Sequence, residues 1–507
     1  MNEEASDGHA RHVELIVGIF VALFVAAVTI NVGTLILGDP DTLWQIKVGS
    51  DMWRTLSLPV QDAYSFTFLG QKWIAEQWLA QLALAASYAA GGWNGAVALV
   101  GLSVGLTAFL FYREIGRVAN PRIAAIVTLI ALFLTSPIFT ARPHVLVLPI
   151  AVVWTAALFR AAEKRQSPPF LLLALLIAWV NLHGSFSIAI VIGVFAFCHL
   201  LETQGFSDHP LLLRWGGFLL CSVAAMVVHP YGIDPFLFAV QMARGNDWIP
   251  TISEWLPFNS RDQPIHEAGL LVFFAVLLWA RPKLSLSKIA FVVFATHMFL
   301  EHQRFVFVWS LLVPMAVIRD IVAQDLGVSR AVWTAQPRDF GERFIAARPR
   351  MALAGLGVAA AIVSIVVFRH AIEPPSRVFA GKAIRFAQEN LLPARVFNDY
   401  DFGGTLIFHG IPTFVDGRSG MLFLGKFAAD IAESEKPGGE STFVHLLEEY
   451  QIGWTLLRSA DSRNIVLSTL PQWQRVYSDD DATIYEHGAK KASDMPPQGT
   501  QAKSDTR

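Results

Sequence analysis

Charge is scarce in this chain. Only 16% of its 507 residues are Asp, Glu, Lys or Arg, and 54% are hydrophobic, whereas a soluble globular protein carries about a quarter charged residues. Cysteine is nearly absent: Cys198 and Cys221 both sit inside apolar runs, which leaves no disulfide framework or zinc spacing and reads as small hydrophobes in packing. No basic tract accompanies the net charge of -2, so no nucleic-acid partner is expected. There is no Walker or dinucleotide fingerprint and no internal repeat. The run from Leu15 to Leu37 is too long for a signal-peptide core and lacks a small-residue cleavage site, so a retained first membrane helix is expected.

What the chain has in abundance is long apolar segments. They fall near 14–37, 93–112, 123–138, 144–159, 168–182, 185–201, 212–229, 267–280, 287–300, 304–318 and 351–368. At this length and polarity they predict a polytopic α-helical membrane protein with about eleven transmembrane helices. The stretch 75–91 is ambiguous, and basic residues decide it. With eleven spans, one face collects Arg113, Arg117 and Arg122; Arg160, Lys164 and Arg165; Arg214; Arg281, Lys283 and Lys288; and the set from Arg319 to Arg350. That is the positive-inside asymmetry of cytoplasmic loops. A twelfth span at 75–91 would invert every later loop, so 75–91 is expected to be an interfacial helix on the outer side.

The predicted layout is a cytoplasmic tail over 1–13, a multi-span domain over 14–369 with outer loops 38–92 and 230–266, an extracytoplasmic domain over 370–487 and a compositionally disordered tail over 488–507. Within 370–487 a helix is expected over 379–391 and others near 424–433 and 440–450. Strands are expected at ARVFND, PTFVDG, GWTLLRS, WQRVYS and ATIYEH. Alternating strands and helices predict a soluble α/β domain.

The first outer loop is the least ordinary stretch. Between Asp39 and Trp78 it carries Asp39, Asp41, Asp51, Asp62 and Glu76, with Trp44, Trp53, Trp73 and Trp78. Acids at the lip of a membrane helix are costly unless they bind or react. The orientation places Arg142 and His144, Asn181 and His183, His229 and Tyr231, and Glu301, His302 and Arg304 on the same outer face. One histidine at a helix end is an ordinary interfacial residue, one tryptophan an aromatic-belt anchor, and Arg142 alone a snorkelling anchor. Their convergence on one face is harder to ascribe to chance. A carboxylate there can deprotonate an attacking group; arginines and histidines opposite can hold a phosphate; an acidic set of Asp39, Asp41 and Glu76 could instead hold a divalent metal. Asp51 and Asp62 read as serving helix starts and turns. Asp399 to Gly404 and Asp416-Gly417-Arg418 read as turn chemistry.

The segments PDTLWQIKVGSDM, SLPVQDAYSF and FLGQKWIAEQW resemble the first outer loop of polyprenyl-phosphate-sugar-dependent glycosyltransferases of the GT-C superfamily, of the dolichyl-phosphate-mannose transferase and aminoarabinose transferase type. The resemblance implies Asp41 as catalytic base, Trp44 as the following aromatic and Glu76 as second acid. EHQRFVFVWSLLVP is similar to the family's late Arg-aromatic-Pro segment and implies that Arg304 faces the lipid phosphate. Thr42 stands where relatives carry an acid, so the acidic pair must be Asp39 with Asp41 or be completed by Glu76. The implied activity is inverting sugar transfer from a polyprenyl-phosphate donor to a glycan, lipid or protein acceptor, on the periplasmic side of a bacterial inner membrane. Arg142, His144, His183, His229 and His302 are expected to line the site. A transporter or flippase of lipid-linked saccharide, and a non-catalytic envelope assembly protein, are the alternatives. The first lacks paired broken helices; the second leaves the acidic loop unexplained.

Overall fold

The computed structural model describes residues 2–245, 252–324, 348, 350–358, 361 and 371–488. The chain divides into two compact units, one built from Met1–Pro59 and Ile74–Pro374, the other from Val60–Trp73 and Pro375–Arg507. The second unit corrects the expected boundaries. Fourteen residues of the expected first outer loop, Val60–Trp73, fold with the C-terminal domain and not with the helices that flank them.

The first unit is helical. Its elements are α1 (Asn2–Asn31), α2 (Gly33–Ile36), α3 (Asp41–Thr55), α4 (Trp78–Gly116), α5 (Pro121–Thr135), α6 (Pro143–Glu163), α7 (Leu172–Leu182), α8 (Ser187–Gln204), α9 (His209–Ala225), α10 (Asp234–Arg244), α11 (Pro264–Ala280), α12 (Leu286–Glu301) and α13 (Val313–Val322). Ten of the eleven expected apolar runs coincide with helices, and half of the last, 351–368, lies outside the described residues. Six described helical stretches are long and apolar enough to cross a membrane: Val13–Asn31, Trp78–Gly116, Pro121–Ile138, Pro143–Glu163, Gly184–Gln204 and Gln303–Val322. Leu172–Leu182 and Pro264–Ala280 are shorter apolar helices. At about 1.5 Å per residue they fall short of a hydrocarbon core about 30 Å thick.

Within the stretch 75–91, residues 78–90 form a separate helix. α4 breaks at Gly91 (φ -151°) and Gly92 (φ 57°, ψ -144°), and only glycine adopts the second conformation at no cost. The helix that begins at Trp78 therefore ends before the long apolar segment that starts at Trp93. α3 lies against the first half of α4 at Gly49, where a Cβ would come within 2.1 Å of the Gln81 carbonyl oxygen.

α6 and the stretch Gln303–Val322 form the centre, each with 78% of its apolar window buried, against 33% for Pro121–Ile138. Trp154, Trp179 and Trp215 are buried in their core, while Phe20, Leu102, Leu213, Leu278 and Val293 point outward, as apolar residues do where the surrounding solvent is lipid. At the far end of α6 from Arg142, the bases expected to be cytoplasmic become ties between helices. Arg160 pairs with Glu114; Arg319 with Glu114 and Glu163, each at 3.2 Å; and Lys288, 1% exposed, with Glu163 at 2.8 Å and Asp320 at 2.6 Å.

The second unit is a four-stranded sheet of order β1-β2-β4-β3, with β1 (Val396–Asn398) parallel to β2 (Trp454–Arg458) and β4 (Ala482–His487) antiparallel to both β2 and β3 (Trp473–Ser478). Helices Gly381–Glu389, Lys426–Ser434 and Glu440–Glu449 match the expected ones, and three more occur at Ser376–Phe379, Gly403–Phe408 and Arg463–Thr469. PTFVDG is not the expected strand. Asn398 captures its backbone, accepting from Phe414 N–H at 2.9 Å and donating to the Val415 carbonyl at 2.8 Å, and its one bridge is to Ser65 of the inserted segment.

Candidate active site

The site grows out of three proline-containing or aromatic signals. In Asp39-Pro40-Asp41, the Asp39 carboxylate accepts the Asp41 N–H at 3.0 Å and so serves an otherwise unpaired amide at the start of α3. Asp41 Oδ1 accepts Trp44 Nε1–H at 2.9 Å, one turn along. Thr42 ties this turn to the chain ahead of α6 by donating to the Ala141 carbonyl at 3.0 Å, and Ala141 N–H donates to Ile36 at 2.9 Å. Pro143 then fixes the backbone of Arg142. The residue before a proline is driven out of the helical region, and Arg142 is extended at φ -123°, ψ 159°.

The guanidinium of Arg142 lies among three carboxylates. Nη1 is 3.2 Å from Asp39 Oδ2 and 2.8 Å from Glu254 Oε2, and Nη2 is 2.9 Å from Asp41 Oδ2. Glu254 spans two arginines, since its Oε1 is 3.1 Å from Arg304 Nη1. The Arg304 guanidinium in turn lies 4.3 Å over the Trp255 ring, a cation–π seat. The turn bearing Glu254 and Trp255 is pinned to the end of α12: Gln303 N–H donates to the Leu256 carbonyl, Phe258 N–H to the Leu300 carbonyl, and His302 Nδ1–H to the Trp255 carbonyl at 2.6 Å.

Burial governs the acids. It raises the pKa of Asp39, with Arg142 opposing. It lifts Asp41 to about 7, where Arg142 again opposes and the neighbouring Asp39 charge adds to the rise. Burial pushes on Glu254 in the same direction, but the Arg142 and Arg304 charges prevail and hold it down at about 2. At neutral pH the site thus holds one firmly ionised carboxylate between two arginines, beside one carboxyl poised to take or give a proton.

Of the residues expected here, Asp39, Asp41, Trp44, Arg142 and Arg304 are in direct or one-step contact. His144 and His183 pack with ring centroids 5.9 Å apart. His302 packs against Trp255 and Phe305 and supports the turn that carries Glu254. Glu76 is elsewhere. Burial raises it to about 7, its carboxylate accepts from Gln77 at 3.0 Å, and it makes no hydrogen bond or ion pair with Asp39 or Asp41. His229 donates to the Glu76 carbonyl at 3.2 Å and stacks on Tyr231. Trp78 and Asn181, joined at 2.7 Å, line a groove of ≈ 570 Å³ with His229, Ile177, Ala178 and Val228. Among the described residues no three of His, Cys, Asp and Glu group so as to hold a metal ion. Asp39 and Asp41 are both engaged by Arg142, and Glu76 is not among their partners. Glu254 was not expected. Its signal was an acid set against tryptophan in the expected second outer loop, but a three-residue turn carries no periodicity to single it out. Of the four tryptophans between Asp39 and Trp78, Trp53 is 66% exposed, while Trp44 and Trp73 are buried.

No protein-family profile matches this chain, and no curated protein sequence matches it. Similarity appears in three dimensions. The oligosaccharyltransferase of Archaeoglobus fulgidus, tethered with an acceptor peptide containing the NVT sequon, aligns over 95% of this chain and 75% of its own, at 12% identity and a TM-score of 0.53. The same archaeal protein in complex with an inhibitory peptide and a dolichol-phosphate aligns over 95% and 75%, at 11% identity and a TM-score of 0.51. ArnT from Cupriavidus metallidurans bound to undecaprenyl phosphate aligns over 92% of this chain and 97% of its own, at 13% identity and a TM-score of 0.49. At such identities the likeness is one of fold: the chain has the fold of the archaeal oligosaccharyltransferase.

Proposed function

We propose that this protein is a membrane glycosyltransferase that moves a sugar from a polyprenyl-phosphate donor to an acceptor on the extracytoplasmic face, in a bacterial inner membrane. The observation that carries the reading is the Glu254 carboxylate held between Arg142 and Arg304. Two half-buried arginines converging on one carboxylate form an anion seat of the kind a phosphate occupies, and Asp41 stands beside it with a pKa of about 7. The fold supports the same reading.

In the proposed reaction Asp41 takes the proton from the acceptor's hydroxyl or amide as that atom attacks the anomeric carbon. A general base performs best when its pKa lies near the working pH. The bond from the anomeric carbon to the phosphate oxygen breaks, and its electron pair stays on the polyprenyl phosphate. The new negative charge faces Arg304 and Arg142, whose guanidinium groups are already in place and need little reorganisation. A single displacement of this kind inverts the anomeric configuration. Trp44 orients the Asp41 carboxylate. Asp39 caps the turn and shares Arg142 with it.

The test is transfer of labelled sugar from a polyprenyl-phosphate donor in membranes containing the wild type or Asp41→Asn. Wild-type transfer that survives unchanged in a folded Asp41→Asn protein overturns the assignment of the base.

A further inference from the structure

His183 joins α7 to the turn Gly184–Phe186, on extended backbone (φ -163°, ψ 142°), and is only 8% exposed. Its hydrogen bonds determine its tautomer. The N–H of Ser185 points at His183 Nδ1 from 3.2 Å. A backbone amide can only donate, so Nδ1 must carry its lone pair. The Ser185 hydroxyl lies 2.8 Å from the same nitrogen and itself accepts Trp179 Nε1–H at 3.0 Å. An indole N–H only donates, so the serine hydrogen is left for Nδ1. The chain Trp179 to Ser185 to His183 runs one way, and in a neutral ring the proton is on Nε2.

That Nε2–H has no hydrogen-bond partner among the described residues. The nitrogen is not sealed inside the protein, so a ligand oxygen can reach it and complete it. Its surroundings say what kind. Burial first, then the charges of Arg304, His144 and Arg142, hold His183 below its ordinary pKa and keep the ring neutral. A donor in a positive field meets an oxygen that carries negative charge. His144, its ring neighbour, has the same tautomer: Nε2–H donates to the Ile138 carbonyl at 2.6 Å, which leaves a lone pair on Nδ1.

We propose that His183 is a tautomer-locked neutral donor whose Nε2–H binds a phosphate oxygen of the polyprenyl-phosphate lipid, with Ser185 and Trp179 as the residues that position it. This rests on the reading of Arg142 and Arg304 as the phosphate seat, and adds to it a directional bond that two arginines alone do not supply. A neutral donor holds the lipid phosphate without adding a third full positive charge, which eases its release after transfer.

The full-length protein in nanodiscs, labelled with ¹⁵N in its histidine rings, tests this by NMR, with His183→Gln used to assign the His183 signals. The free protein should show protonated Nε2 and unprotonated Nδ1, and undecaprenyl phosphate should shift Nε2. Ser185→Ala should lower the share of that tautomer. Calorimetry with undecaprenyl phosphate should show binding weakened about tenfold or more in His183→Ala, the loss expected for a hydrogen bond to a charged group, and largely kept in His183→Gln, whose amide still donates. Inorganic phosphate should give the same Nε2 shift at higher concentration. A protonated Nδ1 overturns the proposal. So does wild-type affinity in His183→Ala alongside lost affinity in Arg304→Ala, a pattern that leaves the phosphate seat standing. A shift with inorganic phosphate but none with the lipid overturns the assignment to the lipid. Binding that depends on neither residue overturns the seat and this proposal together.

Discussion

Trp44 Nε1 donates to Asp41 Oδ1 at 2.9 Å while Arg142 Nη2 holds Asp41 Oδ2 at 2.9 Å. The two oxygens of the proposed base are thus fixed from opposite partners. Trp44→Phe keeps the ring and removes the N–H, so the carboxylate retains its charge partner and loses its orientation. Expected is a fall in kcat of about tenfold, against about 10²–10⁴-fold for Asp41→Asn, read as labelled-sugar transfer with unchanged expression. Equal losses in the two variants would mean that Trp44 does more than orient.

The pH profile follows from burial of Asp41. Its pKa stands at about 7, above the ordinary carboxylate range, so acidification below 7 protonates the base. The rate of transfer should fall about tenfold per unit well below pH 7 and level off above it. The limb should vanish from the residual activity of Asp41→Asn. A wild-type profile that is flat between pH 5 and pH 8, with chemistry rate-limiting, excludes Asp41 as the titrating group.

Glu76 gives a stability counterpart. Burial raises it from the ordinary 4.5 to about 7, so between those values the folded protein holds a proton that the unfolded chain releases. The stability this gives is complete below about pH 4.5 and is lost as pH rises through 7. Glu76→Gln keeps the shape without the charge. It should melt higher than the wild type at pH 8, and the gap should close toward pH 4.5. A gap independent of pH would show that Glu76 contributes through packing alone.

Glu254 occupies the seat that the proposed reaction assigns to phosphate, so it should compete with the ligand. Glu254→Gln should bind undecaprenyl phosphate more tightly than the wild type, by about tenfold, since an ion pair no longer has to be exchanged for another. Arg304→Ala should weaken the same binding by at least as much. Weaker binding in Glu254→Gln would assign Glu254 to orienting the arginines.

Much of this site was legible because a membrane makes charge expensive. Asp41, Arg142, His183 and Arg304 stood out as polar groups at the ends of apolar runs, and charge asymmetry placed them on one face. Glu254 did not stand out, because it sits on a short turn in a long loop where polar residues are ordinary. The domain boundary failed for a different reason. Thr67 donates to the Phe414 carbonyl across 347 positions of sequence, and no local pattern encodes a partner that distant. Asp62 did act as turn chemistry predicts, accepting Tyr64 N–H at 2.8 Å, but that reading gave no hint of its charge partner.

That partner is Arg418, and it supplies the last test. The Asp62, Asp416 and Arg418 side chains are fully buried. Arg418 binds Asp416 through Nε at 2.8 Å and Nη2 at 2.7 Å, and Asp62 through Nη1. Tyr64 and Trp73 bring their rings to 5.2 Å and 5.0 Å of its guanidinium. The inserted segment Val60–Trp73 therefore supplies one carboxylate and two ring faces to a cation in the core of the second unit. Removing one partner from a buried ion pair costs about 3–5 kcal/mol, more than the pair contributes relative to an apolar replacement, because the charge left behind has no solvent. Asp62→Ala should thus destabilise this unit by about that amount, and trypsin should reach Lys72 in the full-length protein much faster than in the wild type, since cleavage requires the segment to open. Lys72 is itself exposed, so an unchanged rate would mean that cleavage occurs without opening; unchanged cleavage together with an unchanged unfolding midpoint would show that Asp416 alone satisfies Arg418.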